Sequence, residues 1–262
     1  MGTILDVLAD KAHERVAKAK EVLSLDELRT QAQSYVNRRG DFAFERALQG
    51  QGLSFICECK KASPSKGIIV EDFPYLQIAQ EYEKAGADCV SVLTEPVYFL
   101  GANNYLREIA TTIATPCIRK DFIVDEYMIY EAKILDASAV LLICAILTDE
   151  QLRAYFDLAE SLGLSVLVEA HDEAEIASAL SCGARLIGVN NRNLKDFSVN
   201  VSNALNLRRL VGDHALFVAE SGIKTAEEVG VLRRAGVDAV LIGETLMRAS
   251  DKGKMLRQFR EA

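Results

Sequence analysis

The chain has 262 residues, of which 50% are hydrophobic and 26% charged, and its formal net charge is −8. This length allows a full hydrophobic core and is typical of a single α/β barrel. The negative charge argues against nucleic acid or an anionic membrane as a partner, and no apolar run is long enough to span a bilayer. Asp6 and Asp10 interrupt the first apolar pattern, which excludes a signal peptide, so we expect a cytoplasmic protein.

The first 50 residues are predicted to form helices ahead of the first strand. Apolar side chains recur at helical spacing from Ile4 to Ala19. Ser24, followed three residues later by Glu27, forms a capping box that opens a second helix. Residues 42–48 are compatible with a short third helix. We therefore expect one domain over residues 1–262, with residues 1–50 as a helical N-terminal extension.

From residue 53 onward, short apolar runs alternate with amphipathic stretches. The predicted strands are Leu53–Cys59, Cys89–Leu93, Cys117–Lys120, Ala139–Ile143, Ser165–Glu169, Leu186–Asn190, Leu216–Glu220 and Ala239–Gly243. The predicted helices between them are Tyr75–Ala85, Asn103–Thr112, Asp125–Leu135, Glu150–Leu162, Glu173–Cys182, Asn203–Leu210 and Ala226–Ala235, and a last one begins at Thr245. Thr148 with Gln151, and Thr225 with Glu228, form capping boxes at two of the predicted helix starts.

The returns from helix to strand share a repeated signal. Gly86, Gly183 and Gly236 each follow a predicted helix, where a left-handed residue is favoured, and Asp136 stands in a weaker copy. Each interval between strand ends accommodates one loop–helix–loop crossover, so the strands should be parallel. Eight such units predict an α/β protein of the (β/α)8 TIM-barrel class. No GxGxxG follows the first strand, which argues against an open dinucleotide-binding sheet.

The six cysteines lie in or beside apolar strand-like segments and form no CxxC pair. That pattern is typical of buried thiols in a reducing compartment and not of disulfides or zinc ligands. The three histidines are scattered along the chain, which argues against a histidine-based metal site.

The end of the first strand changes abruptly from apolar to charged. Side chains alternate between faces along a strand, so Glu58 and Lys60 should share one face while Cys57 and Cys59 share the other. Burying a carboxylate and an ammonium group is unfavourable unless they pair or meet a ligand. Glu58 and Lys60 are therefore either a structural ion pair or the floor of a site.

Other strands also end in polar residues. In a barrel of this class the active site lies at the carboxyl ends of the strands. Lys60, Lys120, Glu58, Glu169 and Glu220 should therefore converge on one pocket, where their fields can shift pKa values and create acid and base roles. Further polar residues that follow strands, each of which could instead only cap a loop, are Glu95, Arg119 and Asp121.

The last two strands carry a second signal. Gly222 and Gly243 stand at consecutive strand-to-helix turns, where exposed backbone N–H groups can hold an anion such as phosphate. Because Glu244 is acidic, we expect its backbone and not its carboxylate to face the ligand.

These motifs together resemble indole-3-glycerol phosphate synthase, a barrel enzyme family of tryptophan biosynthesis. The resemblance covers all eight strands, from the extension to about Arg248, and Glu58-x-Lys60-x-x-Ser63-Pro64 is its most specific string. The other matching stretches are Leu93-Thr94-Glu95 with Phe99, Arg119-Lys120-Asp121-Phe122, Val168-Glu169, residues 188–194 (GVNNRNL), Ala219-Glu220-Ser221-Gly222 and residues 241–248 (LIGETLMR). It implies a ring closure, with loss of carbon dioxide and water, that turns 1-(2-carboxyphenylamino)-1-deoxyribulose 5-phosphate into indole-3-glycerol phosphate without a metal or other cofactor.

The resemblance also implies roles for individual residues. Lys120 matches the general acid that protonates the ribulose carbonyl, and Glu169 matches the acid/base group of the dehydration. Lys60 matches a lysine that contacts substrate carboxylate or phosphate and can also donate a proton, so either lysine could act first. Glu58 and Asn190 match polar partners that orient the amine and hydroxyl groups.

The remaining matched positions form the substrate-binding set. Ser63 would hold the anthranilate carboxylate and Arg192 would support neighbouring carboxylates, while three apolar side chains would surround the aromatic ring. The full set is Ser63, Phe99, Phe122, Leu141, Arg192, Glu220, Ser221, Gly222, Leu241, Gly243 and Glu244. The expected partner is the phosphorylated small-molecule substrate, with neither nucleic acid nor a membrane, and the protein should be a monomer or a weak homodimer.

Two alternatives stay open at this point. One is another phosphate-binding barrel, such as the isomerase of the preceding step or a thiazole or histidine-pathway synthase. The Glu58-x-Lys60-x-x-Ser63-Pro64 string and the Lys-Asp-Phe at the end of the third strand do not suit those enzymes. The other is a non-catalytic barrel that binds a metabolite or a partner. Acids and bases at five strand ends argue against it.

Overall fold

The computed structural model describes residues 3–192, 197–200 and 202–262. Asn193 and Leu194, the last two residues of the predicted motif after the sixth strand, lie outside the described residues. Within the described ranges, eight parallel strands close into a barrel in sequence order, with the last strand pairing with the first. They are β1 (Ser54–Cys59), β2 (Cys89–Leu93), β3 (Cys117–Lys120), β4 (Ala139–Ile143), β5 (Ser165–Ala170), β6 (Leu186–Asn190), β7 (Leu216–Glu220) and β8 (Ala239–Ile242).

The barrel closes because β1 pairs on both of its edges. Ser54 pairs with Ala239 of β8, and Ile56 pairs with Cys89 of β2, in parallel register. Both faces of every strand are covered, so the strands are almost wholly buried, as expected for parallel sheets surrounded by helices. The predicted (β/α)8 TIM barrel is confirmed.

The helices surround the barrel and extend it at both ends of the chain. Over the same described ranges they are α1 (Ile4–Val22), α2 (Leu25–Ser34), α3 (Ala43–Leu48), α4 (Tyr75–Lys84), α5 (Asn103–Thr112), α6 (Glu126–Ile134), α7 (Asp149–Ser161), α8 (Glu173–Ser181), α9 (Ser202–Val211), α10 (Ala226–Arg234), α11 (Glu244–Arg248) and α12 (Lys252–Arg260). The three predicted capping boxes are present, and each ends at the expected acidic or amide partner. No helix in the described part of the chain is long and apolar enough to cross a membrane.

The predicted left-handed turns occur where helices return to strands. Gly86, Gly183 and Gly236 all have positive φ, and so does Asp136 with φ 62°. Glycine tolerates this conformation, whereas an aspartate adopts it only with local support. The Asp136 carboxylate receives that support from Arg39, 3.2 Å away, and from the backbone N–H of Arg38.

The first three helices precede β1 and pack on the barrel. α1 lies beside the carboxyl ends of the strands, where Arg15 donates to both carboxylate oxygens of Asp121 at 3.0 and 2.7 Å. α3 lies at the opposite end, where the N–H of Glu45 donates to the Ser165 hydroxyl and Phe44 is completely buried. The predicted helical extension therefore touches both ends of the barrel.

Two short elements were not predicted. The loop after β1 forms a small antiparallel hairpin, Ala62–Ser63 with Gly67–Ile68. A 3-10 helix, Cys144–Ile146, follows β4. The hairpin matters for the site because it holds Ser63 buried at the edge of the cavity.

Candidate active site

The carboxyl ends of the strands surround a cavity of about 560 Å³, a volume typical of small-ligand sites. Charged side chains enter it from the ends of β1, β3, β5 and β7. All the residues predicted for the site line this cavity: Glu58, Lys60, Ser63, Phe99, Lys120, Phe122, Leu141, Glu169, Asn190, Arg192, Glu220, Ser221, Gly222, Leu241, Gly243 and Glu244. The structure thus brings every predicted site residue into one place.

Glu58 and Lys60 form an ion pair at the end of β1. Their charged atoms are 2.8 Å apart, and the Ser91 hydroxyl of β2 donates to the second oxygen of Glu58 at 3.2 Å. A Cβ added at Gly243 would collide with the Glu58 carboxylate and crowd the Lys60 ammonium. Space for this ion pair therefore requires a glycine at position 243. This requirement is separate from the phosphate-binding role that the sequence predicted for Gly243.

Lys120 lies at the centre of the site. Its Nζ is 3.0 Å from Glu169 Oε2 and 3.2 Å from Glu220 Oε2, so one ammonium group faces two carboxylates from different strands. Burial disfavours the charged lysine, but the fields of Glu169, Glu220 and Glu58 outweigh it and raise the pKa of Lys120. Lys120 is consequently held as a cation that can donate a proton to a developing oxyanion.

The two carboxylates beside Lys120 differ in charge state. Burial works against an ionised Glu169, but attraction by Lys120 and then by His171 outweighs it and lowers the pKa of Glu169 to about 2. Burial also raises the pKa of Glu220, and because Lys120 only partly offsets it while Glu169 and Glu58 add to it, that pKa rises to about 7. Two carboxyl groups pushed apart in pKa can serve as base and acid in one site.

Neighbouring residues fix the positions of these carboxylates. The Asn190 side-chain amide donates to Glu169 Oε1 at 3.3 Å, and its Oδ1 accepts the backbone N–H of Arg192 at 3.0 Å. The Arg192 side chain donates to the Phe197 carbonyl. Gly188, which the sequence analysis did not single out, lies on β6 under Glu220, and a Cβ there would collide with the Glu220 carboxylate.

One wall of the cavity is apolar. The rings of Phe99 and Phe122 have their centroids 6.0 Å apart, and Leu141 lies in the same cavity lining. Phe99 is held by the loop after β2, where the buried carboxylate of Glu95 accepts the backbone N–H groups of Val97, Tyr98 and Phe99. Glu95 thus caps a loop, one of the two possibilities that the sequence left open.

Arg119 forms buried ion pairs outside the cavity. It is 1% exposed, and its guanidinium group lies 2.6 Å from Glu131 and 3.5 Å from Asp121. Neither Arg119 nor Glu131 lines the cavity, whereas Asp121 does, with Arg15 of α1 bound to it. These ion pairs join β3 to α6 and to the N-terminal extension.

The turns after β7 and β8 lie side by side. Ser221 and Gly222 both have positive φ, and the Thr245 hydroxyl donates to the Ile223 carbonyl at 2.6 Å. The Glu244 carboxylate is paired with Arg248 at 3.0 Å, so its charge is partly neutralised. Two cationic residues that were not predicted, Lys224 and Arg248, line this end of the cavity.

The sequence analysis also missed His171 and the N-terminal wall. His171 follows Glu169 by two residues, and its Nε2 lies 3.4 Å from Glu169 Oε1. The signal that could have found it is the alternation of β5, which, continued by one residue beyond Ala170, places residues 169 and 171 on one face. Ile4 and Leu8 of α1 line the cavity, but nothing in their helical pattern distinguishes them from ordinary core residues. Among the described residues, no group of three or more His, Cys, Asp or Glu side chains is arranged to hold a metal ion.

A family model described as indole-3-glycerol phosphate synthase matches residues 5–259. The chain belongs to the indole-3-glycerol phosphate synthase family. Two relatives carry the same name. The one from Ruminiclostridium cellulolyticum is 51% identical over 257 residues, 98% of each chain, and the one from Lacticaseibacillus casei is 52% identical over 259 residues, 98% of this chain and 99% of the other.

The barrel is also similar to a solved structure outside the indole-3-glycerol phosphate synthase family. The 3-hexulose-6-phosphate synthase of Salmonella typhimurium superposes with a TM-score of 0.66 at 14% identity, covering 80% of this chain and 97% of that one. At this identity the likeness concerns the fold alone. The sequence resemblance to the synthase family is confirmed.

Proposed function

We propose that this protein is an indole-3-glycerol phosphate synthase, a carboxy-lyase that closes the indole ring of 1-(2-carboxyphenylamino)-1-deoxyribulose 5-phosphate with loss of carbon dioxide and water. The observation that carries the proposal is the position of Lys120 between Glu169 and Glu220 at the catalytic end of the barrel. Attack of an aryl carbon on a ketone creates an alkoxide, and a buried ammonium group is suited to protonate it.

The catalytic roles follow from this arrangement. Lys120 protonates the ketone oxygen as the new carbon–carbon bond forms. Glu169, ionised and 3.0 Å from Lys120, accepts the proton that is lost in the dehydration. Lys60 is the second cation of the site and is paired with Glu58, so it binds substrate anions and is available as a second donor. Asn190 orients Glu169 through its amide.

The substrate must bend so that its ring and its ketone meet. We propose that Ser63 and Lys60 hold the anthranilate carboxylate, while backbone N–H groups near Gly222 and Gly243 hold the phosphate. Fixing both ends of one flexible molecule brings the reacting atoms together and removes much of the entropic barrier. Phe99, Phe122 and Leu141 would surround the ring between those anchors. Supporting polar contacts would come from Arg192, Glu220, Ser221 and Glu244, and Leu241 would add an apolar contact from the cavity lining.

We further propose that residues 1–262 act as one domain, with residues 1–50 as its helical extension. The protein would be a monomer or a weak homodimer in the cytoplasm. The cytoplasmic location fits the six unpaired cysteines, five of which are buried, and the net charge of −8. That charge also makes nucleic acid an unfavourable partner.

The test is to incubate the purified protein with the ribulose phosphate substrate in the presence of a metal chelator and to follow indole fluorescence. We expect the fluorescence of indole-3-glycerol phosphate to appear. Binding of the substrate without product would favour the non-catalytic barrel. Product that forms only after a metal is added would contradict a metal-independent reaction.

Lys120→Met tests the central residue. Methionine keeps the length of the side chain but cannot donate a proton, so we expect turnover to fall by at least about a hundredfold. Circular dichroism should show an unchanged fold, because Glu169 and Glu220 can take up protons once their cation is removed. Lys84→Met, on the exposed surface of α4, is the matched control. Near-normal turnover of Lys120→Met would reject its role as the acid.

A further inference from the structure

The proposed reaction consumes one proton per turnover. The aryl carbon that bears the carboxylate attacks the ketone carbon, and the ketone oxygen becomes an alkoxide that takes one proton. The bond from the ring to the carboxylate breaks, its electrons return to the ring, and carbon dioxide leaves. The hydroxyl then takes a second proton and leaves as water, while the adjacent CH2 group loses one. Two protons enter and one is released, so one must come from solvent.

A proton from solvent has few paths to the buried acids of the site. Lys120 and Glu169 have side chains that are 13% and 3% exposed, and a bound substrate would cover the mouth of the cavity. A proton returned by the CH2 group can pass from Glu169 to Lys120, 3.0 Å away. The second proton requires another connection.

His171 lies behind Glu169 and provides such a connection. Its Nε2 faces Glu169 Oε1 at 3.4 Å and is buried, with no hydrogen bond among the described residues. Its Nδ1 lies 3.0 Å from Glu175 Oε2 on α8. The side chains of His171 and Glu175 are 20% and 21% exposed, so this end of the chain of contacts reaches water.

The imidazole ring is held in a fixed orientation. Glu175 Oε2 accepts both the ring Nδ1–H and the backbone N–H of His171, the latter at 2.7 Å. Glu175 is itself fixed because its backbone N–H donates to Asp172, the N-cap of α8. Asn203 of α9 donates to the His171 carbonyl at 3.3 Å. These contacts leave Nε2 aimed at Glu169.

Three carboxylates face the His171 ring: Glu169 on β5, Glu175 on α8 and Glu220 on β7, with Lys120 on the far side of Glu169. Burial disfavours the imidazolium form, but the hydrogen bond to Glu175 and the fields of these carboxylates outweigh it and raise the pKa of His171. These carboxylates therefore favour the imidazolium form of the ring, whose Nε2–H points at Glu169.

We propose that His171 is a positioning residue that supplies solvent protons to the catalytic pair through Glu169. The imidazolium gives its Nε2 proton to Glu169, which passes a proton to Lys120, and the neutral ring keeps its Nδ1–H on Glu175. Once the product has left, water that refills the cavity returns a proton to Nε2 by way of Glu169. No other reactant is needed. The proposal rests on the proposed synthase activity, since only that reaction sets the demand for a proton.

The test compares His171→Ala and His171→Gln with the wild type in steady-state assays. Without the relay we expect kcat to fall about tenfold, less than for loss of a direct acid, with KM within about twofold because no substrate contact is lost. Added imidazole buffer at constant pH and ionic strength should restore much of kcat in His171→Ala, which leaves room for the ring, and should not affect the wild type. Glu175→Gln should lower kcat in the same direction.

His214→Gln, at an exposed position away from the cavity, is the matched control and should behave as the wild type. A kcat of both His171 variants equal to that of the wild type overturns the proposal, and so does a loss of kcat that imidazole does not relieve. Absence of turnover in the wild type would instead reject the proposed function. The two failures are thus distinguishable, and thermal unfolding of each variant identifies one that has lost its fold.

Discussion

Glu220 is the least well satisfied charged residue of the site. It is 2% exposed, its Oε2 shares Lys120 with Glu169, and its Oε1 has no hydrogen-bond partner among the described residues. One ammonium group cannot fully compensate two buried carboxylates. The outcome is a pKa of about 7 for Glu220, so this group carries a proton for much of the neutral range.

This raised pKa predicts how stability depends on pH. From about pH 4.5, the ordinary value, to about pH 7, the folded chain keeps a proton on Glu220 that the unfolded chain has released. Rising pH therefore favours unfolding through this group, and the loss is complete above about pH 7. Glu220→Gln removes this titration. Its free energy of unfolding, measured by urea denaturation, should therefore rise relative to that of the wild type as pH increases, by roughly 1–3 kcal/mol. Glu21→Gln, at an exposed position of α1, is the control. A difference between Glu220→Gln and the wild type that stays constant with pH would contradict this prediction.

Adding a single methyl group at position 188 should impair catalysis. In Gly188→Ala the added Cβ would meet the Glu220 carboxylate and approach Leu167 Cδ1 at 3.1 Å. Overpacking of this kind costs about 1–3 kcal/mol of stability, and relief by movement of Glu220 would disturb Lys120. We expect a folded protein with lowered kcat. Gly50→Ala, where an added Cβ meets nothing within 4 Å, is the control. Equal kcat in the two variants would show that Glu220 does not need this position.

Individual residues differed in how far the sequence could reveal them. Glu58, Lys120 and Glu169 were predictable because each is a charged residue at the end of an apolar run, a signal that can be read from one strand alone. Gly188 and His171 were not, because their roles depend on contacts that only the closed barrel creates: a carboxylate from the next strand in one case, and the ring's approach to Glu169 in the other.

At the scale of elements, the strands were predicted to within one residue at each end. β1 begins at Ser54 and not Leu53, β5 continues to Ala170, and β8 ends at Ile242 before Gly243. Parallel strands buried on both faces appear as continuous apolar runs, which explains this agreement. The hairpin after β1 was missed because its strands have two residues each and carry no periodic pattern.

The N-terminal helix is an element whose role the sequence did not indicate. Arg15 of α1 binds Asp121, the residue after the proposed acid Lys120, and the Thr94 hydroxyl donates to the same carboxylate. Asp121 is 1% exposed, and Arg15 holds its pKa down, although burial acts in the opposite direction. α1 is therefore tied to the strand that carries Lys120, and it places Ile4 and Leu8 in the cavity lining.

Arg15→Met tests that connection. The variant keeps most of the apolar stem but leaves Asp121 with fewer partners, so we expect a loss of about 1–3 kcal/mol in unfolding free energy and a higher KM as the α1 wall loosens. Lys11→Met is the matched control on the same helix, because Lys11 pairs only with Glu14 on the exposed surface, where solvent screens the interaction. Equal KM values for the two variants would show that α1 does not shape the substrate site.

At the scale of the whole molecule, the extension closes the end of the barrel opposite the site. The Phe42 N–H donates to the Gly163 carbonyl before β5, and the Cys89 thiol at the start of β2 contacts the Phe44 carbonyl. Arg185, before β6, binds Glu45 at 2.9 Å. α3 thus touches the amino ends of strands around the barrel, and its Phe44 side chain covers their interior. The barrel and the extension share one hydrophobic core.

A shared core predicts cooperative unfolding. Separating the extension would expose Phe44, Leu48 and Leu28, each at most 1% exposed in the fold, and apolar exposure on that scale opposes a stable partly unfolded state. We expect one urea transition by far-UV circular dichroism. Amide hydrogen exchange should give α2 and α3 nearly the same opening free energy as the strands of the barrel. Exchange through α2 and α3 at a much lower free energy than through β1 or β5 would mean that residues 1–50 unfold independently, and would contradict a single domain.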